Sequence, residues 1–227
     1  ERIGVPARAG YRKLDLNAPL ETHGVPVVAL AGTCMEAGKT AAACQMVSRM
    51  RHRGLTVDVF KATGVSLRRD ILAMEDAGAR NSMIFTDLGI ITTTRAVGPA
   101  LTRTMITDIS AKKPDVIVFE LGDGILGTYG VDSILECDDI RKALTGVVLS
   151  ANDPVAAWGG VKLLRERFGI EPCAVTGPAT DNAVGVEIIR DQMKVPAYNA
   201  LSDGAALGDC VISAIGLDAK FPVAAAN

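Results

Sequence analysis

The stretch that most limits what this chain can become is Val25 to Thr40, Val-Pro-Val-Val-Ala-Leu-Ala-Gly-Thr-Cys-Met-Glu-Ala-Gly-Lys-Thr. Its first half is a valine-rich apolar run, too short for a helix, and reads as a strand buried on both faces. The run stops at Gly32. A loop of small and polar residues follows, then Gly38-Lys39-Thr40, then a helix-forming segment from Ala41 to about Arg51. Strand, loop and helix in that order are what a phosphate-binding loop requires. Backbone N–H groups of the loop and the helix start converge on an anion, Lys39 reaches the outer phosphates, and the Thr40 hydroxyl is placed to ligate Mg²⁺. Five residues, Thr33 to Ala37, separate Gly32 from Gly38, one more than the common pattern. The plain alternative is a glycine turn that only joins a strand to a helix.

The rest of the composition suits such a core. With 227 residues the chain fits one α/β domain, and 48% hydrophobic but only 4% aromatic content leaves Ala, Val, Ile and Leu to fill it. That is the composition of a parallel sheet covered by helices. A net charge of −2 with no basic run lacks the electrostatic footprint of a nucleic-acid binder. No apolar run approaches the roughly 20 residues that span a bilayer, and no signal-peptide core opens the chain, so a soluble, cytoplasmic protein is expected. The five cysteines are an odd number without a Cys-x-x-Cys pair, which suggests neither a disulfide framework nor a zinc site. Cys34 reads either as a reactive thiol beside a helix N-terminus or as a small residue that fits the loop. His23 and His52 have no Ser or Cys nucleophile near them in sequence, which leaves a hydrolytic triad little support.

Residues Glu1 to Gly24 show no periodicity and read as an arm or linker; the chain opens on Glu, and a processed or truncated protein with an upstream domain is one expectation. Residues 25–227 read as a single nucleotide-binding domain. From Val25 onward strands and helices alternate, which argues for βαβ units. Strands are expected at Leu55–Phe60, Asp115–Glu120, Gly146–Ser150, Glu171–Thr176 and Ala197–Asn199. Helices are expected at Leu67–Ala77, Pro99–Ala111, Val131–Ala143, Val155–Phe168, Ala183–Gln192 and Ala205–Ile215. The stretch Asn81–Thr94 has no clear period.

In an open parallel sheet the ligand lies beyond the carboxyl ends of the strands, so polar residues directly after apolar runs become candidates. Four ends qualify: Lys39-Thr40, Lys61 after Val-Asp-Val-Phe, Glu120 after Val-Ile-Val-Phe, and Asn152-Asp153 after Val-Val-Leu-Ser-Ala. Lys61 is either a snorkelling surface lysine or a second cation over a transferred phosphate. Glu120 caps the most hydrophobic run, where an unpaired carboxylate is costly; Mg²⁺ or a lysine would satisfy it. Asp70 is either a metal-associated acid or a helix N-terminal residue that complements the dipole.

These residues carry a resemblance. Gly32-Thr33-Cys34-Met35-Glu36-Ala37-Gly38-Lys39-Thr40 resembles the phosphate loop of the dethiobiotin synthetase family, which also has five residues between its glycines. Lys61 in Val-Phe-Lys-Ala-Thr-Gly, Asp70 before Ile-Leu-Ala-Met, and Glu120 in Val-Phe-Glu-Leu-Gly-Asp-Gly are similar to that family's lysine, Mg²⁺-associated aspartate and glutamate. Order and spacing are shared over about Val25 to Asn182. The resemblance implies a three-layer P-loop NTPase fold, a mostly parallel sheet with helices on both faces, that binds ATP and Mg²⁺. It implies that the loop residues 32–40 hold the nucleotide and that Thr40, Asp70 and Glu120 hold the metal. Lys39, Lys61 and Glu36 are the catalytic candidates, the last two facing a small carboxylate or amine substrate. In that family a carbamate is phosphorylated before ring closure, and a homodimer places the substrate near its interface.

Two segments depart from the family. Cys34-Met35 stands in place of its Asp-Thr, and Leu121-Gly122-Asp123-Gly124 in place of its small Gly-Ala-Gly-Gly segment. Both fall where the substrate is read. Base recognition is open between Asn152 and the Thr176–Asn182 stretch. A nucleotide-dependent switch or accessory module acting on a protein partner or an upstream domain is the rival reading; a protein that kept the fold for acyl transfer and lost nucleotide chemistry is a third.

Overall fold

The computed structural model describes residues 14–218. Six strands, β1 (Val27–Gly32), β2 (Val57–Lys61), β3 (Asn81–Ile84), β4 (Val116–Glu120), β5 (Leu144–Ser150) and β6 (Ala174–Thr176), form one sheet. Their order is β3-β2-β4-β1-β5-β6, and every pairing is parallel. β1, β2 and β4 are buried along their whole length, as continuous apolar runs between helical layers must be. Few aromatics take part. Phe60 and Phe119, paired across β2 and β4, stack with centroids 4.5 Å apart.

Among the described residues eight α-helices flank the sheet: α1 (Lys39–His52), α2 (Arg68–Asp76), α3 (Gly98–Ser110), α4 (Val131–Glu136), α5 (Asp138–Ala143), α6 (Pro154–Phe168), α7 (Ala183–Ile188) and α8 (Gly204–Ala214). α1 packs against α2 and α8, and α3 against α4 and α5. Alternation along β5 separates the two layers. A side chain at Gly146 would meet Ile215, just beyond α8, whereas Gly160 of α6 lies against Leu149, which has the opposite parity. The three-layer α/β architecture with a parallel sheet is therefore present.

Several elements are shorter or more broken than their sequence suggests. The helix expected over Val131–Ala143 divides at Cys137, whose backbone is extended at φ −72, ψ 118. Asp138 and Asp139 then start α5, where acids complement the helix dipole. The helix begun at Ala183 ends at Ile188 and continues as a wider turn over Ile189–Met193. Ala197–Asn199 forms no strand, only a parallel bridge from Ala197 to Val175. The unperiodic stretch 81–94 resolves into the edge strand β3, a 3-10 turn at Phe85–Leu88, and a bridge between Val65 and Thr92. Of the arm expected over residues 1–24, residues 1–13 lie outside the described residues. The remainder is tied down: the Glu21 N–H donates to Thr107 Oγ1 (3.0 Å), and Ser110 Oγ donates to the Glu21 carbonyl (2.7 Å), both on α3. Among the described residues no helix is long and apolar enough to cross a membrane.

Candidate functional site

The carboxyl ends of β1, β2 and β4 lie side by side, and the residues that follow them close around one cavity of about 270 Å³. β1 delivers the loop 32–40. A Cβ on Gly32 would stand 2.7 Å from Lys39 Nζ and 3.1 Å from the Cys34 carbonyl, so a side chain there would displace the lysine, and Gly38 turns the chain into α1 at φ 90. Lys39 is only 5% exposed and donates from Nζ to the Cys34 carbonyl at 2.9 Å, folded back over its own loop. Thr40, the next residue of α1, donates from Oγ1 to Glu120 Oε2 at 2.8 Å.

Glu120 ends β4, and its register partner on β2 is Lys61. Both are almost fully buried, 3% and 5% exposed. Lys61 Nζ forms a close ion pair with Asp70 in the first turn of α2, and Arg69 Nε stands 3.6 Å from the other oxygen of the same carboxylate. The cation and hydroxyl that open α1, two strand-end charges and one helix acid thus meet from four separate places in the chain. Glu36, Lys39, Thr40, Lys61, Asp70 and Glu120 all line the cavity.

Burial dominates the electrostatics. It pushes Lys39 below the ordinary lysine range, against the pull of Glu120, Cys34 and Asp123. It pushes Glu120 above the ordinary carboxylate range, opposed by Lys61, the Thr40 hydrogen bond and Lys39. Cys44, one turn along α1, is driven up to about 11 by burial first and then by Glu120 and Asp70. The cleft is a small low-dielectric space in which charges act strongly on each other.

The residues fit a metal-bound phosphate. The missing side chain at Gly32 lets the lysine amine lie over the loop, the lysine rests on the Cys34 carbonyl, and Glu120 has a single hydroxyl donor for a buried carboxylate. Among the described residues no three His, Cys, Asp or Glu side chains gather closely enough to hold a metal by themselves. That suits Mg²⁺, which keeps waters and phosphate oxygens and takes few protein ligands. Asp70 is engaged by Lys61 and Arg69, whereas Thr40 and Glu120 bond to each other.

Of the loop residues, Ala37 is buried and Met35 is exposed at the cavity mouth. The two stretches open for base recognition differ. Asp153 is used as the cap of α6, accepting from the Ala156 N–H, which leaves Asn152 exposed beside it. The 176–182 stretch touches the phosphate loop directly: a Cβ on Gly177 would lie 2.4 Å from the Ala37 carbonyl. Asn182 caps α7, and Asp181 accepts from Asn199 Nδ2. Arg69, Asp123 and Tyr129 also line the cavity, and no strand-end argument pointed to them. Only Asp123 had a sequence signal, its place between two glycines.

No family model matches the chain, and no curated protein matches its sequence. Solved structures do match in shape. The signal recognition particle receptor FtsY from Elizabethkingia anophelis superposes with a TM-score of 0.58 at 16% identity, over 84% of this chain and 66% of that one. A DUF1611 family protein from Anabaena variabilis gives 0.58 at 13% identity, over 90% of this chain and 62% of that one. Signal recognition particle 54 kDa protein from Aeropyrum pernix K1, in complex with GDP, gives 0.55 at 15% identity, over 89% of this chain and 48% of that one. At these identities the likeness is one of fold, and the chain spans two thirds or less of the length of these structures. Sheet order, loop and superposition together define the class: this is a P-loop NTPase fold.

Proposed function

We propose that the cleft binds a Mg²⁺–nucleoside triphosphate and passes its terminal phosphoryl group to the carboxylate or carbamate of a small molecule, as the resemblance to dethiobiotin synthetases implies. The observation that carries this reading is the pairing of Lys61 with Glu120 at the ends of adjacent strands, in one cavity with Lys39 and Thr40. Backbone N–H groups of residues 32–40 and the Lys39 amine would hold the outer phosphates. Thr40 and Glu120 would hold the metal, with Asp70 near them. When bound, Mg²⁺ supplies charge neutralisation at the phosphates. Lys61 and Glu36 would meet the acceptor, Lys61 as a fixed cation kept in place by Asp70. ATP is the nucleotide the resemblance implies, and GTP is the competitor to test, because the superposing structure from Aeropyrum pernix is a complex with GDP. A cytoplasmic homodimer acting on a small molecule, not on nucleic acid or membrane, completes the reading.

The test is calorimetric titration of the protein with Mg-ATP and Mg-GTP. Lys39→Ala should abolish binding of the preferred nucleotide, and a variant that binds as the wild type does would sink the assignment. Nucleoside diphosphate release stimulated many-fold by one small carboxylate or amine would then identify the acceptor.

A second reading, a nucleotide-dependent module acting on a protein partner, is favoured by one feature. Met35, Val65 and Leu67 are exposed apolar side chains that line the cleft. In that case a protein, and no metabolite, would stimulate nucleotide turnover.

A further inference from the structure

Asp123 lines the cleft without a place in the scheme above. Its backbone is left-handed, φ 79, a conformation that side chains other than those of Asn and Asp rarely adopt and that costs energy even there. The chain around it cannot relax. A Cβ at Gly122 would lie 2.2 Å from the Thr63 carbonyl, and one at Gly124 would lie 2.7 Å from the Thr33 carbonyl. Thr63 Oγ1 donates to the Gly122 carbonyl (2.9 Å), and the Ile125 N–H donates to the Gly32 carbonyl (2.8 Å). The Gly-Asp-Gly tip is therefore wedged between the segment after β2 and the phosphate loop.

The carboxylate is half used. Oδ2 accepts from the Thr128 N–H at 3.1 Å, closing a turn in which Gly127 leaves the acid its space. Oδ1 has no donor among the described residues. Asp123 is also close enough to Lys39 to hold that amine's pKa up against burial. A turn alone would need only the Thr128 bond, which Asn would make equally well on a backbone it tolerates. Strain kept in a cleft, on a residue with a free oxygen, is the signature of a positioned functional group.

We propose that Asp123 is a catalytic residue that holds a water for attack on the terminal phosphoryl group, the hydrolysis that runs when no other acceptor is present. This rests on the reading of the cleft as a Mg-nucleotide site. As the nucleophile's oxygen bonds to phosphorus, the bond from phosphorus to the bridging oxygen breaks and its electron pair leaves with the nucleoside diphosphate. When water attacks, its proton passes to the Asp123 carboxylate and then to solvent.

Asp123→Asn isolates this role, because it keeps the Thr128 bond and the left-handed backbone and removes only the charge and the proton acceptor. Three quantities are measured: affinity for Mg-ATP and Mg-GTP by calorimetry, phosphate release, and the melting midpoint of the free protein. The expected result is affinity within about threefold of wild type, an unchanged midpoint, and phosphate release slowed at least about 100-fold. Should Asn lower the midpoint, Asp123→Gly, which takes that backbone without strain, stands in for it in the same comparison. Release within about threefold of wild type, or a loss of affinity equal to the loss of turnover, overturns the proposal. Wild-type protein that binds nucleotide but releases no phosphate overturns it alone. Wild-type protein that binds neither nucleotide overturns the reading of the cleft as well.

Discussion

Asp58 and Glu120 sit on neighbouring strands of one sheet, β2 and β4, and both are shielded from water, 0% and 3% exposed. Asp58 is saturated. Its two oxygens accept from Arg80 Nε (3.0 Å) and Nη2 (2.8 Å), from the Asn81 N–H (3.1 Å) and from Asn81 Nδ2 (3.1 Å). Glu120 has one hydroxyl donor, Thr40, and cations nearby that are engaged elsewhere: Lys61 by Asp70, Lys39 by the Cys34 carbonyl. A buried acid whose lone pairs are all met ties β2 to β3 and does nothing further. One left short of donors in a cavity has capacity for a ligand.

The comparison breaks most visibly at Asp58. Asp58→Ala leaves the Arg80 guanidinium and the Asn81 N–H without their acceptor. We expect a loss of about 3 kcal/mol, the low end for a broken buried pair because Arg80 can turn to solvent. In a domain of this size that lowers the melting midpoint by roughly 6–12 °C, readable by differential scanning calorimetry. Nucleotide affinity should not change. A midpoint held at the wild-type value would mean that saturation is not what distinguishes the two acids.

Glu120→Gln should do the reverse. The amide oxygen still accepts from Thr40, and the group no longer resists burial as a charge, the main force on it. The melting midpoint should stay level or rise, while Mg²⁺-dependent nucleotide affinity falls by roughly 10- to 100-fold, the loss typical when the support of a metal site is removed. Calorimetric titration with and without Mg²⁺ separates the two effects. A fall in midpoint with affinity intact would make Glu120 a structural acid like Asp58.

That contrast also explains which parts of the site could be read from the chain. Gly32, Gly38, Lys39 and Thr40 lie within one nine-residue stretch, and their chemistry follows from a strand running into a helix, so local order was enough. Lys61 and Glu120 were legible as polar residues that end apolar runs, and parallel register then made them partners. Asp58 sits inside such a run, and nothing local says that its donors come from Arg80 and Asn81, more than 20 positions later. Asp123 depends on a backbone angle and on carbonyls of Thr33 and Thr63, distant in sequence. The break at Cys137 was hidden for a related reason: apolar residues on either side keep helical spacing through a residue whose backbone is extended.

A buried group that is neutral at pH 7 sharpens the point about desolvation. Burial is the main reason that the Cys173 thiol is driven up from 9.0 to about 12, and its Sγ donates to the Val147 carbonyl at 3.1 Å. The folded-state pKa lies above that of the unfolded chain. The thiol therefore stabilises the fold fully below about pH 9 and loses that contribution as pH rises toward about 12. Cys173→Ala should be less stable than wild type at pH 7 by about 1 kcal/mol. The gap should close as pH rises through that window, followed by urea denaturation at each pH. A gap that stays constant would show that the thiol ionises as freely in the fold as outside it.

The smallest effect is expected where an acid is neither saturated by buried donors nor short of them. Asp138, at the start of α5, accepts from Lys142 one turn on and from Arg141, all at the surface. These contacts hold its carboxyl below the usual carboxylate range, the Lys142 hydrogen bond foremost. Water would solvate the same carboxylate nearly as well, and salt screens what remains, so the geometry of the pair says little about its worth. Lys142→Ala should leave the melting midpoint unchanged within about 1 °C and nucleotide affinity untouched. A larger drop, and one that disappears in high salt, would show that a surface pair near the break at Cys137 holds α4 and α5 apart as two helices. Distance to a partner would then predict stability better than burial does, against the ranking that Asp58 and Glu120 suggest.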